Sequence, residues 1–379
     1  MFAATYGRGP VAELVAGPGW LAAMLEVEAA LATACAEAGE IPAAAAAEIV
    51  AACASDGYDL AEIAREGGEH ATPVIPLVRA LRARAGERAA PFVHLGATSQ
   101  DVVDTAAMLL ARRSLDQIDV DVAAAMRAAA GLADRHRATP MTGRTLLQAA
   151  LPVAFGLRAA GWATGLDGAR RDLERVAASL PVQLGGPVGS GPPARAALVA
   201  VRLGLAEPAL PWQAIRLAPA RLAGALGTLA GILAKIARDV TLLAQTEVGE
   251  AAEGAGADRG GSSAMAHKHN PVAAISVLAC AKRVPGFVAT MLAAMEQEHE
   301  RAAGAWQAEW GTLTDLLTLT GSAAAWGRDL LEHLEVNAQR MRANLELLAA
   351  EGVEQARAPG EYLGAADELI DRALAALGG

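Results

Sequence analysis

The residues best suited to chemistry lie in one glycine-rich polar segment, 254–271, which reads GAGADRGGSSAMAHKHNP. It contains two adjacent serines, Ser262 and Ser263, followed by Lys268 and Asn270. Glycine frees the backbone to bring peptide N–H groups close to a ligand, and a lysine supplies a compact positive charge that suits a carboxylate. The segment is therefore a candidate mobile lid over an anionic ligand, and a solvated surface loop is the alternative.

The end of this segment predicts the start of a long helix. Asn270 suits the N-cap and Pro271 the first helical position, because proline lacks the N–H that would be unpaired there. His267 and His269 flank Lys268 with a spacing that also occurs in metal sites, but no acidic or cysteine partner completes a ligand set. We therefore expect no metal at this loop.

A second polar cluster reads HLGATSQDVVDT over residues 94–105. Thr98 and Ser99 suit the N-cap of a long helix, and Asp101 completes a capping box with Thr98. Capping alone explains these residues, but a helix N-terminus with free N–H groups and hydroxyls also binds carboxylates, and the two roles are compatible. His94 beside this turn is either a structural hydrogen-bond donor or a proton donor in catalysis.

The composition predicts a helical globular protein. The 379 residues are 53% hydrophobic but only 3% aromatic, and valine and isoleucine seldom alternate with polar residues over strand lengths, which favours helices. A net charge of -10 argues against the basic surface that nucleic acid requires. Cys35, Cys53 and Cys280 are an odd number without metal-ligand spacing, so we expect reduced thiols and a cytoplasmic location.

No membrane span is expected from the sequence. Residues 1–10 contain no apolar signal core, and the most apolar later stretch, 217–243, carries charged residues that include Arg221, Arg238 and Asp239.

Apolar periodicity predicts an elongated, all-α bundle of long helices. Several predicted helices reach 30 residues or more, against a globular average of about 11–12, and apolar residues on more than one face favour a homo-oligomer. We expect a small N-terminal helical domain over 1–100, a central long-helix domain over 101–350 and a short C-terminal segment over 351–379. The predicted helices cover 20–38, 101–137, 142–180 with a bend near Pro152, 219–250 and 305–348. Three more are an alanine-rich helix after Pro42, a helix from Pro271 with a kink at Pro285 and a short helix after Pro359. Within residues 59–84, Gly67 and Gly68 predict a break.

The segment GSSAMAHKHNP resembles the signature GSSxMPxKxNP of the fumarase/aspartase superfamily, whose members add groups to, or eliminate them from, a carbon next to a carboxylate. Other segments are similar to one branch, the bacterial 3-carboxy-cis,cis-muconate cycloisomerases: HLGATSQDVVDT, TPMTGRTLLQAALP, ARDVTLLAQTEVGE, EQEHERAAGAWQAEW and EYLGAADELIDRAL. The resemblance implies the family's all-α fold, a homotetramer whose active sites are shared between subunits, a small di- or tricarboxylate substrate and no cofactor.

The resemblance also implies roles for individual residues. Ser262 matches the family's catalytic base, a role for which a serine must be activated by positive surroundings and N–H donors. Lys268 and Asn270 match contacts to the substrate carboxylate. The other implied substrate contacts are Thr98, Ser99, Thr145, Gln148, Ser263 and Arg301.

The chain departs from the family pattern at positions that bear on proton transfer. Close relatives have a tryptophan and a histidine in GRTxLQxA where this chain has Leu146 and Ala149. Without that histidine, an elimination must expel a group that is stable as an anion or take its proton elsewhere, and His94 is the remaining candidate acid. Other departures are Gln213 for a histidine, Ala266 for the signature proline, His269 for an arginine and a shorter C-terminal part.

Three functions remain open at this stage. The leading one is conversion of 3-carboxy-cis,cis-muconate to the carboxymuconolactone by intramolecular addition of a carboxylate across a double bond; the reverse reaction expels a carboxylate, which needs little protonation at neutral pH. The second is elimination of another stable anion from a succinate derivative, as in a nitrosuccinate lyase that releases nitrite and fumarate. The third is a noncatalytic homologue that keeps the bundle for binding or assembly.

Overall fold

The computed structural model describes residues 3–254, 260–261, 264–265 and 268–377. Within them, the strands are β1 (Pro140–Thr145), β2 (Gln148–Ala154), β3 (Ala251–Glu253) and β4 (Leu334–Val336). The helices are α1 (Ala3–Tyr6), α2 (Val11–Leu14), α3 (Gly17–Glu37), α4 (Ala43–Ala52), α5 (Leu60–His70), α6 (Val74–Ala89), α7 (Ser99–Arg135), α8 (Phe155–Ala178), α9 (Pro193–Leu203), α10 (Leu217–Leu243), α11 (Val272–Ala293), α12 (Ala305–Glu332), α13 (Ala338–Ala350) and α14 (Ala366–Ala376).

Five long helices form the core of the molecule and confirm the predicted helical bundle. Helix α7 packs against α8 and α12, α10 packs against α8 and α11, and α11 packs against α12. With 37 residues at 1.5 Å per residue, α7 is about 55 Å long. The side chains of Trp306 and Arg328 on α12 bind Asp104 and Asp121 on α7, so the two helices run in the same direction.

The N-terminal helices agree with those predicted from the sequence, except at Gly67 and Gly68. Helix α5 runs through both glycines, where a break was predicted. Gly67 is buried, and a Cβ there would lie 3.1 Å from Pro73 Cα. This glycine therefore permits a close approach of two backbones and does not end the helix.

The predicted helix 142–180 is wrong over its first part, where β1 and β2 form an antiparallel hairpin. A Cβ on Gly143 would lie 2.4 Å from Leu151 O, and the pairing register shifts at this glycine, so it forms a bulge that only glycine fits. The helix begins only at Phe155.

The predicted helices 219–250 and 305–348 are also shorter than expected. Helix α10 ends at Leu243, and α12 ends at Glu332 before β4, which pairs with β3 in a small antiparallel sheet. Asn337 then starts α13, because its side-chain oxygen accepts the Arg340 N–H. The short C-terminal helix is present as α14.

Three of the long helices, α3, α10 and α11, are long and apolar enough to cross a membrane by length and composition alone. All three pack in the bundle. Their apolar windows are 61%, 50% and 39% buried, respectively, so α10 and α11 keep apolar surface that a single chain leaves uncovered. The expected absence of a membrane span stays a prediction.

Candidate active site

The turn before α7 carries Thr98 and Ser99, both half-buried, and the predicted capping box is confirmed. Asp101 Oδ2 accepts the Thr98 N–H at 3.0 Å. The same carboxylate accepts the N–H groups of Gly185 at 3.0 Å and Gly186 at 2.8 Å. Burial raises the pKa of Asp101, while these hydrogen bonds favour its charged form. Asp101 thus fastens the glycine loop after Gln183 to the N-terminus of α7.

His94 lies beside this turn and is paired with a carboxylate that sequence reasoning missed. His94 Nδ1 lies 2.5 Å from Glu28 Oε1, and the Glu28 side chain is fully buried. The other oxygen, Glu28 Oε2, has no hydrogen-bond partner within the described residues. His94 also adopts a left-handed backbone conformation with φ of 63°. The available signal was an acidic residue inside the apolar pattern of α3.

Arg301 reaches the same end of the bundle. Its Nε donates to Gln100 Oε1 at 3.2 Å, and its Nη2 donates to the carbonyl of Pro187 at 3.3 Å. Gln100 follows Ser99 in the first turn of α7 and is fully buried. The structure therefore brings His94, Thr98, Ser99 and Arg301 together at what we call the amino end of α7.

A buried charge cluster lies beneath these residues. Arg216, 2% exposed, donates to Asp104 at 2.6 and 3.0 Å and to Glu309 at 2.9 Å. Asp104 also accepts from Trp306 Nε1 at 3.0 Å. Burial opposes the charge of Arg216, but the two carboxylates raise its pKa; burial also raises the pKa of Glu309. None of these residues was predicted to support the site.

Thr145 and Gln148 lie on the β1–β2 hairpin, where they pair across a two-residue turn. The turn residues Leu146 and Leu147 have positive φ angles of 51° and 65° and are 97% and 75% exposed. One residue before Thr145, next to the turn, Arg144 binds a buried carboxylate, Glu250, through two hydrogen bonds of 2.8 Å.

The glycine-rich segment begins next to this hairpin, because Glu250 directly precedes β3. Ser262, Ser263, Ala266 and His267 lie outside the described residues. Lys268 is exposed, and Asn270 donates to the Gly260 carbonyl from its N–H at 2.8 Å and from Nδ2 at 3.0 Å.

The prediction that Asn270 caps α11 is wrong. The helix starts at Val272, and the Glu253 carboxylate accepts the N–H groups of Ala273 and Ala274 at 3.0 and 2.8 Å. A carboxylate is favoured at this position by the helix dipole.

The predicted site residues thus form two groups at opposite ends of the bundle. One group surrounds the amino end of α7. The other comprises Thr145, Gln148, Lys268 and Asn270, and we call its location the hairpin end, because the hairpin follows the C-terminus of α7 and is linked to Glu250. A helix of about 55 Å separates the two ends, so one chain does not assemble the whole predicted site.

Comparison with known proteins gives consistent matches. The family model described as Lyase matches residues 18–286. The 3-carboxy-cis,cis-muconate cycloisomerase of Bradyrhizobium diazoefficiens is 47% identical over 370 residues, covering 92% of this chain and 81% of that protein. The nitrosuccinate lyase of Streptomyces davaonensis is 45% identical over 363 residues, covering 91% of this chain and 77% of that protein.

Among solved structures, the 3-carboxy-cis,cis-muconate lactonizing enzyme from Pseudomonas putida matches with a TM-score of 0.91 at 35% identity. The match covers 99% of this chain and 98% of that one. Sequence and fold therefore agree over nearly the whole chain, as the resemblance in the motifs predicted. The chain belongs to the fumarase/aspartase superfamily of lyases.

Proposed function

We propose that this chain is an enzyme of the 3-carboxy-cis,cis-muconate cycloisomerase type, which adds a carboxylate across a double bond of a small tricarboxylate and catalyses the reverse elimination. The observation that carries the proposal is the amino end of α7, where the Arg301 guanidinium lies next to a helix N-terminus that carries Thr98 and Ser99. Both features attract carboxylates.

The chemistry requires stabilisation of negative charge as a bond to the carbon next to a carboxylate forms or breaks. The resulting carbanion is stabilised as an aci-carboxylate, which needs cationic and N–H or hydroxyl donors at its oxygens. In the proposal, Thr98, Ser99 and Arg301 supply such donors from one end. Lys268, Asn270, Thr145 and Gln148 supply them from the other, and Ser262 is the base.

We further propose that complete sites form between copies of the chain in a homotetramer. The two groups of site residues lie at opposite ends of a helix of about 55 Å, so they can meet only between copies. Two other observations support assembly: α10 and α11 keep uncovered apolar surface, and the hairpin turn exposes Leu146 and Leu147 almost completely.

The residues at the hairpin favour a leaving group that is stable as an anion. Ala149 offers no proton to a leaving group. A carboxylate leaves as a stable anion, and so does nitrite, so nitrosuccinate elimination is the second candidate, which the 45% identity to a nitrosuccinate lyase favours. For a leaving group that does take up a proton as it departs, His94, held by Glu28, is the candidate acid.

Direct ultraviolet assays distinguish these functions. With 3-carboxy-cis,cis-muconate, the expected result is loss of the diene absorbance with formation of the lactone. Formation of fumarate and nitrite from nitrosuccinate, without reaction of the muconate, would assign the second activity. A folded protein that converts neither compound would contradict the enzymatic proposal and leave a noncatalytic homologue.

A further inference from the structure

We propose that Gln100 is a positioning residue that holds Arg301 in a single orientation for a substrate carboxylate. The inference rests on the proposed function, in which Arg301 binds such a carboxylate. It adds a defined geometry, in which one edge of the Arg301 guanidinium donates hydrogen bonds to the protein and another edge donates to the ligand.

The orientation of the Gln100 side chain is fixed by its partners. Its Nε2 donates to Asp104 Oδ2 at 3.1 Å and to the carbonyl of Gln213 at 2.7 Å. The Gln213 carbonyl can only accept, and both oxygens of Asp104 already accept hydrogen bonds from Arg216. The NH₂ group must therefore face them, and Oε1 must face Arg301. A flipped amide would place an oxygen against a carboxylate and a carbonyl in a fully buried site.

The partner that fixes the amide is itself rigid. Asp104 accepts two hydrogen bonds from Arg216 and a third from Trp306, and Arg216 also binds Glu309. All of these side chains are buried. A buried and connected polar network of this kind restricts its members to one arrangement. Gln100 connects that arrangement to Arg301, whose side chain lies at the surface of the single chain.

Within the described residues, the hydrogen bonds of Arg301 leave one edge of the guanidinium available. Nε and one N–H of Nη2, bound to Gln100 and Pro187, belong to the side edge of the guanidinium. Of the three remaining N–H groups, one on Nη1 and the second on Nη2 point in the same direction and form the end edge. Two parallel N–H groups on that edge match a carboxylate in bidentate geometry. An otherwise mobile arginine is thereby held ready for binding, which lowers the entropy lost when the ligand binds.

The test measures binding of tricarballylate, a stable tricarboxylate, to the intact protein by calorimetry. Gln100→Met preserves side-chain volume but removes the hydrogen bond to Arg301. We expect the Kd to rise about tenfold, as for loss of one well-placed hydrogen bond to a charged group. Arg301→Met should weaken binding at least as much, and the double variant should equal Arg301→Met, because Gln100 acts only through Arg301. In turnover, KM should rise more than kcat falls.

Gln183 provides a matched control. It is also buried, donates to Asp101 and Gln213 Oε1, and accepts from Trp212, but it is not a hydrogen-bond partner of Arg301. Gln183→Met and Arg301→Met should therefore be additive. Equal coupling of both glutamines to Arg301 would indicate general loosening and overturn the proposal, as would wild-type affinity in Gln100→Met.

Arg301→Lys tests the same idea without altering a buried residue, in case Gln100→Met does not fold. Lysine keeps the charge but lacks the two-edged geometry. We expect it to bind tricarballylate as weakly as Arg301→Met, and wild-type affinity in Arg301→Lys would overturn the proposal. If turnover is absent but this binding series behaves as expected, only the proposed reaction fails. A wild-type protein that binds no tricarboxylate would contradict both proposals.

Discussion

At the scale of single residues, Ser262 is the proposed base, and it lies outside the described residues. Replacing one loop hydroxyl costs little stability, whereas loss of the base removes the proton transfer itself. We expect Ser262→Ala to bind tricarballylate like the wild type and to lose several orders of magnitude in kcat. Ser263→Ala is the control and should retain more activity. Equal losses in both variants would point to a collapsed loop.

Glu28 and His94 form the second residue-scale prediction. The Glu28 carboxylate is fully buried, and one of its oxygens has no hydrogen-bond partner among the residues that the structure describes. Such burial is costly and calls for a role beyond packing. If Glu28 fixes the ring orientation and tautomer of a catalytic His94, Glu28→Gln should lower kcat by about 10²-fold, at the lower end of the contribution of acid–base catalysis. The same substitution should cost nothing more in a His94→Gln background. Additive losses would instead assign Glu28 a purely structural role.

At the scale of elements, the β1–β2 hairpin pairs backbone strain with exposed apolar side chains. A two-residue turn with two positive φ angles favours Asn-Gly, and each left-handed leucine costs about 1–2 kcal/mol. The presence of leucines at this strained turn is explained if their side chains insert into another copy of the chain. We expect Leu146→Asn with Leu147→Gly to leave helix content unchanged while kcat/KM falls at least about tenfold, the effect expected when an active-site element is misplaced.

The control for the hairpin is Val201→Asn on α9, which removes another exposed apolar side chain that is 83% exposed and lies outside the hairpin. Its activity should match the wild type, as for most surface substitutions. Full activity in the hairpin variant would show that the leucines are dispensable for the site.

At the scale of the whole molecule, the proposed sites require several chains. Arg301→Met inactivates the amino end of α7, and Lys268→Ala inactivates the hairpin end. When the two inactive proteins are unfolded together and reassembled, some mixed oligomers contain a site with neither substitution. We therefore expect activity to reappear, as measured by the same ultraviolet assay.

A mixture of Arg301→Met and Ser99→Ala is the control for this experiment. Both changes affect the same end, so no intact site forms, and activity should stay at the level of the separate variants. Sedimentation should show a stable oligomer at micromolar concentration. A folded monomer with full activity would contradict the shared site.

Features that depend on neighbours along the chain could be predicted from the sequence. The capping box joins Thr98 and Asp101, which are three positions apart, and apolar periodicity predicted the long helices. The ordered motifs identified the superfamily, which the comparisons confirm. Because these signals are local, they can be recognised without knowledge of how the helices pack.

Features that join distant residues could not be predicted from the sequence and required the folded structure. Residues 140–154 form a hairpin because strand pairing and the approach of Leu151 to Gly143 outweigh local helix preference. The contacts from His94 to Glu28 and from Gln100 to Arg301 join residues 66 and 201 positions apart. The separation of the candidate site into two ends likewise follows from the length and direction of α7. Such contacts depend on the arrangement of whole helices, which no short window of residues encodes.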